Sequence, residues 1–195
     1  MNVWQGRLVT LRGLVAEDAE VMARHALDSE VDRLDSEVHY PTSAAAIRER
    51  LARPAQGDDV ELGIVAPDGR LVGALSIFAS KPRDGVAWLG LGIADRSEWG
   101  KGYGPDAVRV ALRHLFGERR YHKVQVGVYA FNQRSLRMFR RLGFVEEGRL
   151  RQVHFSGGRY WDEVQLGVTA EEFAARHPDY PLDWPEPAAT DQSRP

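Results

Sequence analysis

The sequence predicts an α/β (α+β) fold, one domain around a mixed, mostly antiparallel sheet of about seven strands flanked by about four helices. Three observations carry that expectation. Two apolar runs, Val60–Ala66 and Leu71–Ala79, flank Pro67-Asp68-Gly69-Arg70, and Asp-Gly between such runs signals a hairpin. The run Val86–Ala94 passes through a glycine-rich loop into a helical pattern of roughly 15 residues and then into Lys123–Tyr129. Strand, helix, strand is a crossover and gives a parallel pair. Val145–Phe155 and Arg159–Val168 make a last hairpin around Ser156-Gly157-Gly158. Hairpins joined to one crossover make the sheet mixed.

The remaining elements follow in chain order. Arg7–Arg12 alternates as a first strand, and Ala16–Asp28 reads as a helix with Ala19, Met22, Ala23 and Ala26 on one side. The next stretch sets Asp28, Glu30, Asp32, Asp35 and Glu37 against Arg33 alone, the pattern of a solvated acidic loop. Thr42 or Ser43 caps a second helix to about Arg53, and Pro54 stops it. After the glycine loop, Val108, Ala111, Leu112, Leu115 and Phe116 form one apolar helix face, with Pro105 in the first turn. Val124, Val126 and Val128 share one face of the following strand. Asn132 is an N-cap for a helix that turns Leu136, Phe139 and Leu142 inward and ends at Gly143. A short helix can follow Ala170. The domain is expected to span 1–177, with an irregular proline-rich tail over 178–195 that frays beyond about Glu186.

Composition narrows the function. Hydrophobic residues are 43% and charged residues 28%, ordinary for a globular chain. No apolar run spans a bilayer and no signal-peptide pattern follows Met1, so no membrane partner and a cytoplasmic location are expected. A formal charge of −2 without a basic run argues against nucleic acid. With no cysteine there is no disulfide, thiolate zinc site or cysteinyl acyl-enzyme. The histidines have no ligand spacing, and no metal is expected.

Trp99-Gly100-Lys101-Gly102-Tyr103-Gly104-Pro105-Asp106 joins the apolar strand to the helix. Glycines let the backbone approach a ligand, and N–H groups converge at the positive end of a helix. A di- or triphosphate is the natural guest, and Lys101 adds a mobile positive charge. The dinucleotide spacing Gly-x-Gly-x-x-Gly fails at Pro105 and Ala107, and the ATP/GTP loop fails because Gly100-Lys101 is followed by Gly102.

This loop resembles the coenzyme A loop of the GCN5-related N-acetyltransferase (GNAT) superfamily, in the ribosomal-protein N-terminal and spermidine acetyltransferase branch. Asn132-Gln133-Arg134-Ser135-Leu136-Arg137-Met138-Phe139, leading into Arg141-Leu142-Gly143-Phe144, resembles that branch's second signature. Gly157-Gly158-Arg159-Tyr160-Trp161-Asp162 resembles its following hairpin, so the likeness covers residues 7–170.

The resemblance implies a splayed parallel pair and direct transfer, in a ternary complex, of acetyl from acetyl-CoA to a primary amine, either a peptide N-terminus or a small amine. It assigns the coenzyme to the backbone of Trp99, Gly100, Lys101, Gly102, Tyr103 and Gly104, with Asn132 and Ser135 alongside. A backbone N–H near Ile93 or Ala94 would polarise the thioester carbonyl. The tyrosine acid of relatives is replaced by Phe139 and their glutamate base by Trp88. Ser135 and His154 are therefore the catalytic candidates: Ser135 as acid, and His154 as a base whose reference pKa lies near 6.5. Glu98 and Glu61 are weaker base candidates, and Tyr103 and Tyr129 lie nearby in sequence. The acidic residues 28–37 would wall the acceptor pocket, and Trp88 and Trp161 would add aromatic walls. The resemblance allows a homodimer. Phe139 and Trp88 keep open an alternative, a catalytically weak acyl-CoA-binding regulatory protein.

Overall fold

The computed structural model describes residues 2–35, 38–53 and 59–183. Its strands are β1 (Thr10–Gly13), β2 (Val60–Val65), β3 (Leu71–Lys81), β4 (Val86–Ile93), β5 (Lys123–Tyr129), β6 (Val145–Ser156) and β7 (Arg159–Thr169). They form one sheet in the order β1-β2-β3-β4-β5-β7-β6. Every neighbouring pair is antiparallel except β4 with β5, so the mixed sheet and its single parallel pair stand as expected.

The helices are α1 (Ala19–His25), α2 (Ser29–Asp35), α3 (Ala44–Leu51), α4 (Tyr103–Arg113), α5 (Gln133–Leu142) and α6 (Ala170–Arg176). The helix expected over Ala16–Asp28 is shorter. Its first turn is a separate 3₁₀ turn, Ala16–Asp18, where Asp18 takes a two-pronged ion pair from Arg12 at 2.7 and 2.8 Å and the Val15 N–H at 2.8 Å. Residues 29–35, read from their charge as a loop, are helix α2 instead. The Asp28 carboxylate accepts from the Glu30 N–H at 3.2 Å, and Glu30 and Asp32 lie in the first turn, where negative charge meets the positive end of the helix. The acidity that suggested a loop is the acidity that starts a helix. Glu37, Pro54 and the tail beyond 183 lie outside the described residues.

Two features of the fold position the site. The first is the apolar layer on one face of β5 and β7. Val124, Val126, Val128, Val164, Leu166 and Val168 join one buried cluster with Val108, Ala111 and Leu112 of α4 and Leu136, Phe139 and Leu142 of α5. Each such side chain contributes about 1.5–3 kcal/mol of burial, which fixes both helices against these strands. The second is a node at the start of α4. Buried Asp106 accepts from the N–H groups of Leu8 (2.7 Å) and Val9 (3.0 Å) and from the Tyr180 hydroxyl. Tyr180 belongs to the irregular segment after α6, yet its ring is buried among the core residues. The chain on both sides of the domain is thereby tied to the first turn of α4.

The parallel pair is short. β4 and β5 register at Val86↔Lys123, Ala87↔Val124 and Trp88↔Gln125, and there the pairing stops. On its other edge β4 stays paired with β3 through Gly73↔Ile93. The C-terminal half of β4 therefore keeps one neighbour and opens a gap on the other side.

Candidate active site

A cleft of about 450 Å³ lies at this gap, bounded by the end of β4, the glycine loop, α5 and the Val31–Leu34 side of α2. That size falls within the range of small-ligand sites. Antiparallel ladders alternate the direction of the backbone groups. Ala94 donates its N–H to Val72 O at 3.0 Å, so it faces β3 and cannot serve as a donor into the gap. Of the two candidates at this position, the alternation leaves Ile93 facing the gap. The Ile93 carbonyl also points away from β3, for it accepts the Trp99 indole N–H at 2.7 Å.

The loop leaves β4 through a 3₁₀ turn, Arg96–Glu98, capped by the Asp95 side chain on the Ser97 N–H at 2.8 Å. Gly100 and Gly102 then take φ of +82° and +90°, a region costly for residues with a side chain. A Cβ at Gly100 would meet nothing within 4 Å, so its Cα is open to a ligand. Gly102 is the N-cap of α4, and the first helical bond runs from Asp106 N to Gly102 O at 3.2 Å. Among the described residues no group accepts from the N–H of Gly100, Lys101, Gly102, Tyr103 or Gly104. These are donors at a helix N-terminus, and they border the cleft.

Charge on the cleft wall comes from arginines. Arg109 of α4 and Arg134, Arg137 and Arg141 of α5 line it, and no described carboxylate pairs with any of them. The Arg134 guanidinium lies 4.1 Å over the Trp99 ring, and its burial works against its own charge. Lys101 is not the mobile charge expected. Its Nζ pairs with Glu98 at 2.9 Å, and Arg70 meets the same carboxylate at 3.0 Å. Lys101 and Arg70 hold the Glu98 carboxyl below the usual range, which makes it a weaker base. Glu61 is likewise paired, with Arg50 at 2.6 Å.

Asn132 caps α5 as expected, its Oδ1 accepting from Ser135 N at 3.0 Å. Its Nδ2 donates to Leu34 O at 3.0 Å, tying the start of α5 to the end of α2 across the cleft mouth. Ser135 lines the cleft. Phe139 is buried edge-on against Phe144, beneath the cleft wall.

His154 stands elsewhere. It pairs with Trp161 across the β6–β7 hairpin, and its ring stacks on Tyr129 at 3.8 Å. Phe131 and Trp161 extend this aromatic group, and the His154 Nε2 is enclosed with no hydrogen-bond partner among the described residues. Ser135 and His154 are thus not brought together: one lines the cleft, the other joins an aromatic stack at the end of β5.

The arginine wall was missed from sequence. Its signal was present, since 134, 137 and 141 recur at helical spacing on the side opposite Leu136, Phe139 and Leu142.

A family model described as an acetyltransferase (GNAT) domain matches residues 8–145. The chain is 33% identical over 177 residues to an SPbeta prophage-derived uncharacterized N-acetyltransferase, YokL, of Bacillus subtilis, covering 91% of this chain and 98% of that one. It is 25% identical over 170 residues to a spermidine N(1)-acetyltransferase of Vibrio cholerae, covering 86% and 96%. The fold resembles Mycobacterium smegmatis RimJ in complex with CoA-disulfide, with a TM-score of 0.77, 24% identity, and coverage of 89% and 91%.

Proposed function

Since the chain belongs to the GNAT acetyltransferase family and is an N-acetyltransferase, we propose that it moves an acetyl group from acetyl-CoA to a primary amine, a small amine or a peptide N-terminus, within a ternary complex. The observation that carries this reading is the row of loop N–H groups, Gly100 to Gly104, with no acceptor among the described residues, beside a cleft walled by arginines that no described carboxylate pairs.

The residues present fit the coenzyme. The backbone of Gly100–Gly104 offers its N–H groups to a diphosphate, whereas the Trp99 N–H is committed to Arg96 O at 3.2 Å, and the bare Gly100 Cα lets the ligand approach. Arg109, Arg134, Arg137 and Arg141 supply positive charge for the remaining phosphate oxygens. Asn132 holds α2 and α5 at the spacing the cleft needs, and Ser135 stands on its wall. Bound there, acetyl-CoA supplies an acetyl group activated as a thioester.

The chain's own groups do the rest. The Ile93 N–H is the donor to the developing oxyanion, because it faces the gap while its neighbour Ala94 does not. Ser135 Oγ is the proton donor to the leaving group, and the His154 imidazole takes the amine's proton. Each such acid or base contributes about 10²–10⁴ in rate, whereas holding two reactants in register removes about 7–11 kcal/mol of barrier. Positioning by the loop and the gap is therefore the larger effect. Cytoplasmic residence and a homodimeric assembly belong to the same proposal.

The test is calorimetric titration with coenzyme A, followed by thiol release from acetyl-CoA across a panel of amines. Binding with amine-dependent release is expected. No binding overturns the assignment of the loop, and binding without release by any amine favours the weak acyl-CoA-binding reading.

A further inference from the structure

The other side of the gap holds a charge that the roles above leave unused. Paired residues of neighbouring strands share a face, as do alternate residues along one strand. Gln125, Gly127 and Tyr129 of β5 therefore share a face with Glu163 and Gln165 of β7, through Tyr129↔Glu163 and Gly127↔Gln165. Trp88 and Gly90 of β4 join that face through Trp88↔Gln125. It is the face opposite buried Val124, Val126 and Val128.

On this face the floor of the gap is bare. Continuing two residues beyond Trp88↔Gln125 sets Gly90 level with Gly127, one glycine on each side where the strands part. The Glu163 side chain reaches over Gly127, so that a Cβ there would collide with its Oε1. The Gln165 side-chain N–H holds the same oxygen at 2.6 Å. Two other carboxylates on this face are already matched: Glu147 by Lys123 at 2.6 Å and Glu61 by Arg50 at 2.6 Å. No described cation meets Glu163, which is half-buried. Tyr129, with His154 stacked on it, and Trp161 stand beside it along the same face.

A half-buried carboxylate without a cation, held over a bare floor and flanked by aromatic rings, is a receptor for an ammonium group. We propose that Glu163, seated over Gly127, receives the protonated amine of the acceptor and fixes it at the mouth of the gap before transfer. Its role is specificity: it selects acceptors that are cationic at neutral pH, aliphatic amines ahead of neutral nucleophiles. The proposal rests on the acetyl-transfer reading.

Two substitutions test it, with spermidine and an alanine-terminated tetrapeptide as the probe amines. Glu163→Gln removes the charge and keeps the shape. Gly127→Ala keeps the charge and displaces it, at a position where only the flexible end of Glu163 and the Gln165 amide lie close. Both variants are expected to raise the KM of the better probe about tenfold or more and to flatten its dependence on salt, with kcat changed far less. Their affinity for coenzyme A, measured by calorimetry, should match that of the unmodified chain. Acceptor KM within twofold in both variants overturns the role of Glu163 while leaving acetyl transfer intact. Loss of coenzyme binding in both overturns it as well, because the carboxylate would then act through the fold. Failure of the unmodified chain to bind coenzyme A sinks the underlying reading instead.

Discussion

The two sides of the β4–β5 gap carry opposite charge that no described residue pairs. On the cleft side Arg109, Arg134, Arg137 and Arg141 line the cleft, and no described carboxylate pairs with them. On the open face of the sheet no described cation meets Glu163. Elsewhere several residues of the same types are paired: Arg12 with Asp18, Arg50 with Glu61, Arg96 with Asp28, Arg140 with Glu146. Glu163 and Arg109 are half-buried, and a folded chain leaves such charges unmatched at a cost, because desolvation is then not offset; Arg134, Arg137 and Arg141 are exposed. On the reading proposed above, ligands of opposite charge complete the pairing. On that reading an anion lies on one side and a cation on the other, with the unpaired edge of β4 between them.

The strongest way to break this picture is Gly102→Val. A branched side chain at φ of +90° is strained, and its Cβ would lie 2.9 Å from Leu8 Cδ1. Twisting the loop out of this conformation should weaken coenzyme A binding about 100-fold, near 3 kcal/mol. Calorimetry giving an unchanged Kd would show that the loop amides do not face the ligand.

A smaller effect is expected from Arg134→Gln combined with Arg137→Gln. Coenzyme A affinity should fall about tenfold, and its decline with salt should become shallower. A fall in acceptor affinity instead would mean that the two sides of the gap had been assigned the wrong way round.

The smallest effect sharpens the contrast by touching a charge whose partners all lie within the protein. Tyr180→Phe removes one donor from Asp106 and should cost about 1 kcal/mol of stability in urea unfolding, with coenzyme affinity unchanged. Burial, with Asp106 beside it, pushes the Tyr180 phenol up to about 12. The folded state thus holds the neutral phenol while the unfolded chain ionises near 10. Stability from this group is fully present below pH 10 and is lost as pH rises toward 12. The Phe variant should lack that alkaline loss.

By itself the sequence determined whatever depends on local periodicity and turn chemistry. The alternation of Val124, Val126 and Val128, the Asn132 cap, the Gly143 stop and the glycines at 100 and 102 each act within a few residues. They placed the sheet, the crossover and the loop. Periodicity also held the arginine stripe at 134, 137 and 141, though not the fact that no carboxylate would meet it.

Tertiary structure decided every question of partnership. The charge pattern of residues 28–37 looked like a loop until Asp28 capped the helix. Lys101 looked free until Glu98 was brought against it. Ile93 and Ala94 were equivalent in sequence, and only the β3 ladder committed one of their N–H groups. Glu163 drew no notice because its isolation depends on strand register, on Gly127 beneath it, and on cations that chose other carboxylates. Propensity is a property of neighbours in the chain, whereas compensation of charge and direction of a donor depend on neighbours in space.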